Sequence, residues 1–278
     1  MIGKGISHGA ITVINAMPCG IGSTIGITLR TDAVFNPTGE TKDVGILNDP
    51  TENKEMAKIC VSETYKKMKI EEPDGWLLNI SSDIPISRGL KSSSSACNAI
   101  ISSVLRAERF DMDVIDKIRL GVNCARKANV TVTGAFDDAC GCELGGLVIT
   151  DNKNDEILFI DDIDEYDVLI HVPKNKIKKT TLPLEKLKSI SSEIEKLVDV
   201  AKTDPFLAMT KNGKAIASVS GVDNSVAEIA LSNGAIGAGV SGSGPAIAIV
   251  LESGDAEAFI ERTGLTGTIF ARTREVQL

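Results

Sequence analysis

The stretch of sequence that says most about the fold is Pro85-Ile86-Ser87-Arg88-Gly89-Leu90-Lys91-Ser92-Ser93-Ser94-Ser95-Ala96. It follows an apolar segment, residues 76–80, that is typical of a strand, and it leads into residues 93–109, whose small side chains predict a buried helix. A turn that contains glycine and opens into a helix directs unpaired backbone N–H groups towards one point, where the helix dipole also favours an anion. The serine hydroxyls add donors and potential Mg²⁺ ligands, and Arg88 and Lys91 add positive charge, so the stretch predicts a phosphate site. The alternative is a serine-capped helix without a ligand.

A second glycine-rich segment, residues 238–246, reads Ala-Gly-Val-Ser-Gly-Ser-Gly-Pro-Ala. Gly237, Gly239 and Gly242 satisfy the spacing G-x-G-x-x-G, but residues 246–251 predict a strand where a dinucleotide site needs a helix. The P-loop pattern G-x-x-x-x-G-K-[ST] occurs nowhere in the sequence, which excludes that class of nucleotide site. The segment is therefore either a flexible loop whose backbone approaches a ligand or a plain tight turn.

A pair of adjacent carboxylates, Asp137 and Asp138, lies in a third segment, residues 131–140, shortly before Gly145 and Gly146. A carboxylate beside a glycine-rich turn is suited to accept the proton of a hydroxyl nucleophile. The alternative is that the pair caps the helix that follows.

Composition excludes several classes of protein. The 278 residues carry a formal net charge of −8 and only 4% aromatic residues, so neither a basic surface nor base-stacking platforms for nucleic acid are expected. The uncharged stretches 5–29 and 229–251 are interrupted by proline, glycine and polar residues, and we expect no membrane-spanning helix. The six cysteines are spread along the chain in a way typical of buried thiols in a reducing compartment, and we expect a cytoplasmic protein.

The order of predicted strands and helices is irregular and indicates an α+β fold without regular βαβ alternation. Residues 151–167 hold eight acidic residues and one lysine, and residues 174–179 hold four lysines. We interpret both runs as solvated connections that mark a boundary between two domains, residues 1–150 and residues 151–278.

Taken in order along the chain, the three segments resemble the GHMP kinase superfamily, which is named after galactokinase and the homoserine, mevalonate and phosphomevalonate kinases. The phosphate-binding motif of that superfamily is P-x-x-x-G-L-x-S-S-[AS]-x, and residues 85–95 match it with Lys91 in place of the usual glycine. Residues 238–246 resemble its C-terminal glycine loop. Within the superfamily, residues 7–16, 87–96 and 134–140 are together most similar to the archaeal-type shikimate kinases.

The resemblance implies a two-domain GHMP kinase fold with the active site in the cleft between the domains. It implies transfer of the γ-phosphoryl group of ATP to the 3-hydroxyl of shikimate, a step towards chorismate and the aromatic amino acids. One alternative is a kinase of the same fold that acts on homoserine or on a mevalonate-pathway alcohol. Another is a non-catalytic nucleotide-binding regulator, against which the acidic pair argues because binding alone needs no base. The sequence leaves the oligomeric state open, with a homodimer as one alternative.

The resemblance also assigns roles to single residues. Asp138 or Asp137 would accept the proton of the substrate hydroxyl, and Asp138 is preferred. Ser92 or Ser93 would provide a ligand for Mg²⁺. The residues implied in ATP binding are Pro85, Ile86, Ser87, Arg88, Gly89, Leu90, Lys91, Ser92, Ser93, Ser94, Ser95, Gly242, Ser243 and Gly244.

One departure from the superfamily concerns the metal. Mevalonate kinases carry a metal-binding glutamate about eleven residues before the catalytic aspartate, whereas residues 124–128 here read Cys-Ala-Arg-Lys-Ala. Either the metal is held differently, or Arg126 or Lys127 contacts the phosphates directly. The cations considered for the substrate carboxylate are Arg30, Arg272 and Arg274, each with a surface position as the alternative.

Overall fold

Two β-sheets with helices packed against them form the described part of the chain. The computed structural model describes residues 1–86, 88–131, 134–173 and 183–277. The first sheet comprises β1 (Gly3–Ile14), β2 (Ile21–Asn36), β3 (Lys42–Ile46), β4 (Trp76–Ser82), β5 (Leu147–Asp151) and β6 (Glu156–Asp161). The second sheet comprises β7 (Asp167–His171), β8 (Gly237–Val240), β9 (Ile247–Leu251) and β10 (Thr268–Arg272).

The helices belong to two groups in chain order. The first group is α1 (Glu55–Met68), α2 (Ser92–Glu108), α3 (Val114–Lys127) and α4 (Phe136–Leu144). The second is α5 (Leu184–Ser189), α6 (Ser191–Glu195), α7 (Leu197–Thr203), α8 (Pro205–Ser220), α9 (Ser225–Ser232) and α10 (Ala256–Thr263). The mixture of helices and sheets confirms the predicted α+β class.

The long strand β2 organises the first sheet. It pairs with β1 on one side, and on the other side its two halves pair in turn with β5 and β4, all antiparallel. β3 adds to β4 in parallel, and β6 adds to β5 at the opposite edge. The second sheet is antiparallel throughout, in the order β10-β7-β9-β8. β2 therefore brings the ends of β1 and β5 to one place.

Apolar packing joins the two halves of the chain. One cluster of buried side chains includes Ile11 and Ile25 from the first sheet together with Val168 and Ala248 from the second, each at 0% exposure. Buried apolar area contributes roughly 25 cal/mol per Å² to stability, so a shared core resists separation of the halves. A site between the halves thus has a fixed frame.

Residues 156–161 correct one expectation from the sequence. They form the strand β6 in the first sheet and are not a solvated connection. Glu156 and Asp161 mislead the sequence pattern because charged side chains are usual on an exposed edge strand. The division of the chain at residue 150 stays a prediction, and the second charged run, residues 174–179, lies outside the described residues. Within the described ranges, no helix has both the length and the apolar character needed to span a bilayer.

Candidate active site

The predicted phosphate loop leads directly into α2. Its last residue, Lys91, has a positive φ of 67° and precedes the first helical residue, Ser92, without capping the helix with its side chain. Gly89 has φ +86°, and a Cβ atom at this position would lie 2.0 Å from the carbonyl oxygen of Ser241. Only glycine allows both this conformation and so close an approach. Ser87 lies outside the described residues.

The serines of the loop do not all face the same way. Ser92 and Ser93 are half-buried on the first turn of α2, whereas Ser94 and Ser95 are buried. The Ser95 hydroxyl donates a hydrogen bond of 2.9 Å to Thr31 Oγ1 on β2, so this side chain faces the sheet. Ser92 and Ser93 are thus the serines placed where a ligand at the helix start could reach them.

Other residues of the predicted site anchor the loop. Leu90 is 1% exposed and belongs to the core shared by the two halves. The Arg88 guanidinium donates to the carbonyl of Pro173, and the Arg88 carbonyl accepts from the backbone N–H of Ala246 at 3.3 Å. Pro85 and Ile86 are half-buried where the loop begins.

The C-terminal glycine loop packs against the phosphate loop. Ser241 Oγ donates to the carbonyl of Gly89 at 2.9 Å, and the backbone N–H of Gly242 donates to Thr12 Oγ1 on β1 at 2.8 Å. The carbonyl of Gly242 accepts from Asn15 Nδ2 at 2.7 Å. The two loops, predicted from distant parts of the sequence, therefore form one structure between the halves of the chain, with Ser243 and Gly244 completing its turn.

Lys91 and Asp138 connect the phosphate loop to the acidic pair. The Lys91 Nζ and Asp138 Oδ1 atoms are 2.6 Å apart, and the two side chains are 5% and 21% exposed. Burial opposes the charge on Lys91, but the attraction of Asp138 and Asp137 outweighs it and raises the pKa of the ammonium. The same Nζ atom would lie 3.3 Å from a Cβ atom at Gly242. A positive charge is thus fixed where the two loops and the carboxylates meet.

Asp137 is the deeper of the two carboxylates. It is 3% exposed, and its Oδ1 atom accepts a hydrogen bond of 2.7 Å from Asn152 Nδ2. A Cβ atom at Gly22 on β2 would lie 2.3 Å from its other oxygen, so this glycine makes room for the carboxylate. Burial, and then repulsion by Asp138, raise the pKa of Asp137 to about 6, against the opposing effects of Lys91 and Asn152. Asp137 is therefore the buried member of the pair, and Asp138 is the more exposed one.

The sequence assigns no role to three residues that support the site, although Thr12 and Asn15 lie within residues 7–16, one of the segments that carry the family resemblance. Asn152 follows β5 and orients Asp137 through its side-chain amide, while its carbonyl oxygen Oδ1 accepts from Thr150 Oγ1 at 2.8 Å. Thr12 and Asn15, at the end of β1, hold the glycine loop. An asparagine directly after a strand is the one signal available for Asn152, and it is as common in ordinary turns.

Arg126 and Lys127 form ion pairs with carboxylates outside the phosphate loop, which argues against the alternative that one of them contacts the phosphates. The two terminal guanidinium nitrogens of Arg126 each donate a hydrogen bond of 2.7 Å to the carboxylate of Asp155. Lys127 forms an ion pair with Glu63. The absence of the usual glutamate is therefore not compensated by these two cations.

The three arginines considered for a substrate carboxylate all have partners within the protein. Arg30 pairs with Asp32 at 2.9 Å, and Arg272 pairs with Glu165 at 3.2 Å. Arg274 is buried, and its guanidinium donates to the carbonyl of Cys142 and to the side-chain oxygen of Gln277.

The chain matches two family models and several curated proteins. Residues 54–146 match the GHMP kinases N terminal domain, and residues 204–263 match the GHMP kinases C terminal domain. A protein named shikimate kinase from Pyrococcus abyssi is 34% identical over 273 residues, covering 98% of both chains. Proteins of the same name from Methanobrevibacter smithii and Pyrococcus furiosus are 34% and 37% identical, and the matches cover 88% of this chain and 87% and 89% of theirs.

Solved structures with the same architecture have low sequence identity. The Methanococcus jannaschii mevalonate kinase is 17% identical and superposes with a TM-score of 0.82, covering 100% of this chain and 98% of that one. A homoserine kinase from Cytophaga hutchinsonii, also 17% identical, has a TM-score of 0.74 and covers 99% of this chain and 95% of that one. These structures bear out the fold, and the family models and curated relatives extend the likeness to the sequence itself. The chain belongs to the GHMP kinase family.

Proposed function

We propose that this chain is a shikimate kinase, which transfers the γ-phosphoryl group of ATP to the 3-hydroxyl of shikimate. The observation that carries the proposal is its similarity, along almost the whole chain, to proteins named shikimate kinase. Membership of the GHMP kinases makes the chain an ATP-dependent small-molecule kinase. The named relatives favour shikimate as the molecule that accepts the phosphoryl group.

The phosphate loop and the start of α2 would hold the ATP phosphates. Lys91 leaves the first turn of α2 without a side-chain cap of its own, and helix-start N–H groups bind anions. The half-buried hydroxyls of Ser92 and Ser93 lie on that turn. The hydrogen bond from Ser241 to the Gly89 carbonyl holds the phosphate loop and the C-terminal glycine loop together. Loops fixed in this way would align the phosphates without reorganisation during transfer.

Asp138 would act as the base. In the transfer step the substrate hydroxyl oxygen attacks the γ-phosphorus, the bond from that phosphorus to the bridging oxygen of ADP breaks, and the hydroxyl proton passes to the Asp138 carboxylate. Asp138 is the more exposed member of the pair, and its partner Lys91 holds positive charge beside the position where negative charge develops. Asp137, which accepts a hydrogen bond from Asn152, would help to orient Asp138.

Mg²⁺ would enter together with ATP. The hydroxyls of Ser92 and Ser93 are oxygen donors of the kind that Mg²⁺ accepts, and Mg²⁺ bound to phosphates needs few protein ligands because phosphate and water oxygens supply the rest. When bound, the ion would neutralise charge on the phosphates. A cytoplasmic location and a homodimer remain predictions from the sequence.

The proposal is tested by supplying one acceptor at a time. Purified protein is incubated with Mg²⁺ and ATP and with shikimate, homoserine or mevalonate, and ADP release is followed by a coupled assay. We expect ADP release with shikimate above the rate without an acceptor, and no such increase with the other two alcohols. ADP release with homoserine or mevalonate but not with shikimate would replace the proposed substrate, and no release with any of them would favour a nucleotide-binding regulator.

A further inference from the structure

A cavity of about 430 Å³ is lined in part by Asn152, the residue that bonds Asp137, and no described residue of the phosphate loop lines it. One wall is the connection between β1 and β2, including Met17 and Gly20. A second wall is the turn after β5, with Asn152 and Lys153, and a third wall carries Lys188 of α5 and Glu195 of α6. This volume is within the range of sites that bind small molecules.

Hydrogen bonds connect two of these walls to the transfer site. Asn152 donates its backbone N–H to the carbonyl of Gly20 at 2.9 Å and its side-chain amide to Asp137 Oδ1 at 2.7 Å. The backbone N–H of Met17 donates to Asn15 Oδ1, and the amide of Asn15 donates to the carbonyl of Gly242. The cavity therefore adjoins the carboxylates on one side and the glycine loop on the other.

The cavity has a positive balance in a chain whose net charge is −8. Two lysines and one glutamate line it. Lys188 is paired with Glu185 at 3.1 Å, an exposed pair of little energetic weight. Lys153 forms no ion pair with any residue in the described part of the chain.

The stem of Lys153 is positioned by packing. A Cβ atom at Gly20 would lie 2.9 Å from Lys153 Cε, so the aliphatic part of the lysine runs along the backbone of the β1–β2 connection. Its backbone N–H is fixed by Asp151 Oδ1 at 2.8 Å. Of the two lysines on the described cavity wall, Lys153 is thus the one without an ion-pair partner among the described residues, and it lies next to Asn152.

We propose that this cavity binds the acceptor substrate and that Lys153 recognises its carboxylate, with Lys188 as a second, weaker cation. Glu195 and Asn152 offer hydrogen-bond partners for the hydroxyls of the same molecule. This assignment rests on the proposed function, and it replaces the three arginines that the sequence singled out, since none of them is among the described residues that line this cavity.

The test compares Lys153→Met with the wild-type enzyme in steady-state kinetics. We expect the KM for shikimate to rise by about 10-fold to 100-fold, the range for losing one hydrogen bond to a charged group. The KM for ATP stays unchanged, because the lysine lies outside the phosphate cradle. Lys153→Arg, which keeps the charge, restores most of the affinity. Lys186→Met is the matched control, because Lys186 is an exposed lysine of α5 that does not line the cavity.

A substrate analogue separates charge recognition from a structural effect. The carboxamide of shikimate lacks the negative charge, so the wild-type enzyme binds it weakly and Lys153→Met weakens it little further. The assignment is overturned if Lys153→Met loses affinity equally for shikimate and its carboxamide, or if its KM for shikimate is unchanged. A raised KM for ATP in this variant would show instead that the cavity binds the nucleotide. A wild-type enzyme inactive on shikimate overturns the proposed function instead, together with this substrate for the cavity.

Discussion

Lys91 is the residue at which this sequence departs most informatively from the motif of its family. The motif usually has glycine there, and in this chain the side chain crosses to Asp138 at 2.6 Å. Lys91 has a positive φ of 67°, a backbone conformation that favours glycine. A non-glycine residue in this region costs roughly 1 kcal/mol, so its presence indicates a compensating role. The ion pair with Asp138 is the compensation that the structure shows.

Replacing the two carboxylates one at a time should separate their roles. Asp138→Asn removes the proton acceptor, and we expect kcat to fall by about 10²-fold to 10⁴-fold with little change in the KM for ATP. Asp137→Asn preserves an oxygen for the Asn152 amide and should lower kcat less. Steady-state kinetics with shikimate and ATP measure both. The reverse order, with the larger loss in Asp137→Asn, would assign the base to the buried carboxylate.

His8 offers a prediction about pH that does not involve catalysis. It lies on β1 opposite Arg30, and burial, followed by repulsion from Arg274 and Arg30, lowers its pKa from 6.5 to about 4. Between these two pH values the unfolded chain binds a proton at His8 that the folded chain does not. The contribution of neutral His8 to stability is therefore complete above pH 6.5 and is lost as the pH falls towards 4.

The variant His8→Gln removes this titration. Denaturant unfolding of both proteins at several pH values should show a free energy of unfolding that falls less steeply for His8→Gln between pH 6.5 and 4. Asp137 titrates in the same window, but it is common to both proteins and cancels in the difference. Parallel curves for the two proteins would show that the pKa of His8 is not lowered by folding.

At the scale of elements, we expect ATP binding to depend on the contact between the phosphate loop and the C-terminal glycine loop. Gly89→Ala introduces a Cβ atom 2.0 Å from the Ser241 carbonyl, in addition to backbone strain at φ +86°. We expect the KM for ATP to rise by at least 10-fold, because the loops must separate, and the free energy of unfolding to fall by more than the ~1–2 kcal/mol of the strain alone.

Gly254→Ala is the matched control for this variant. Gly254 has φ +91°, and no atom lies within 4 Å of the Cβ position among the described residues, so this substitution adds the strain without the collision. We expect a modest loss of stability and normal ATP kinetics. Equal effects of the two substitutions on the KM for ATP would argue against a functional contact between the loops.

Elements with a clear periodic pattern could be predicted, and those shaped by tertiary contacts could not. The helix expected over residues 93–109 is α2, and the strand expected over residues 246–251 is β9. β8 has the sequence Gly-Ala-Gly-Val, and it is a strand through its pairing with β9. Its glycines also let it pack against α8, since a Cβ atom on Gly213 would be 2.6 Å from the Gly239 Cα. Such a helix-to-strand contact has no periodic signature.

The candidate site divides in the same way. The glycines and serines of the cradle and the acidic pair are local in sequence, and their chemistry is evident from residue type. Asn152 and the cavity with Lys153 depend on which turn lies beside the acidic pair, and β2 decides this by pairing with β1 and β5 together. The sequence analysis therefore considered three arginines in other parts of the chain and not a lysine in an exposed turn.

At the scale of the whole molecule, the proposed function requires a protein with a net charge of −8 to bind two anionic ligands. We propose that separate local cations meet this requirement: Lys91, which pairs with Asp138, for the phosphates, and Lys153, on the cavity wall, for the acceptor. The shared core holds the two halves together around them. The proposed function thus depends on where these two lysines lie within a fold common to the GHMP kinases.

The most direct test of this account is the identity of the product. The protein is incubated with Mg²⁺, ATP and shikimate, and the reaction mixture is followed by ³¹P NMR correlated with the protons of the cyclohexene ring of shikimate. We predict one new phosphate monoester whose phosphorus couples to the proton on carbon 3, formed in equal amount to ADP. Inorganic phosphate and ADP alone, or a monoester on another hydroxyl, would contradict it.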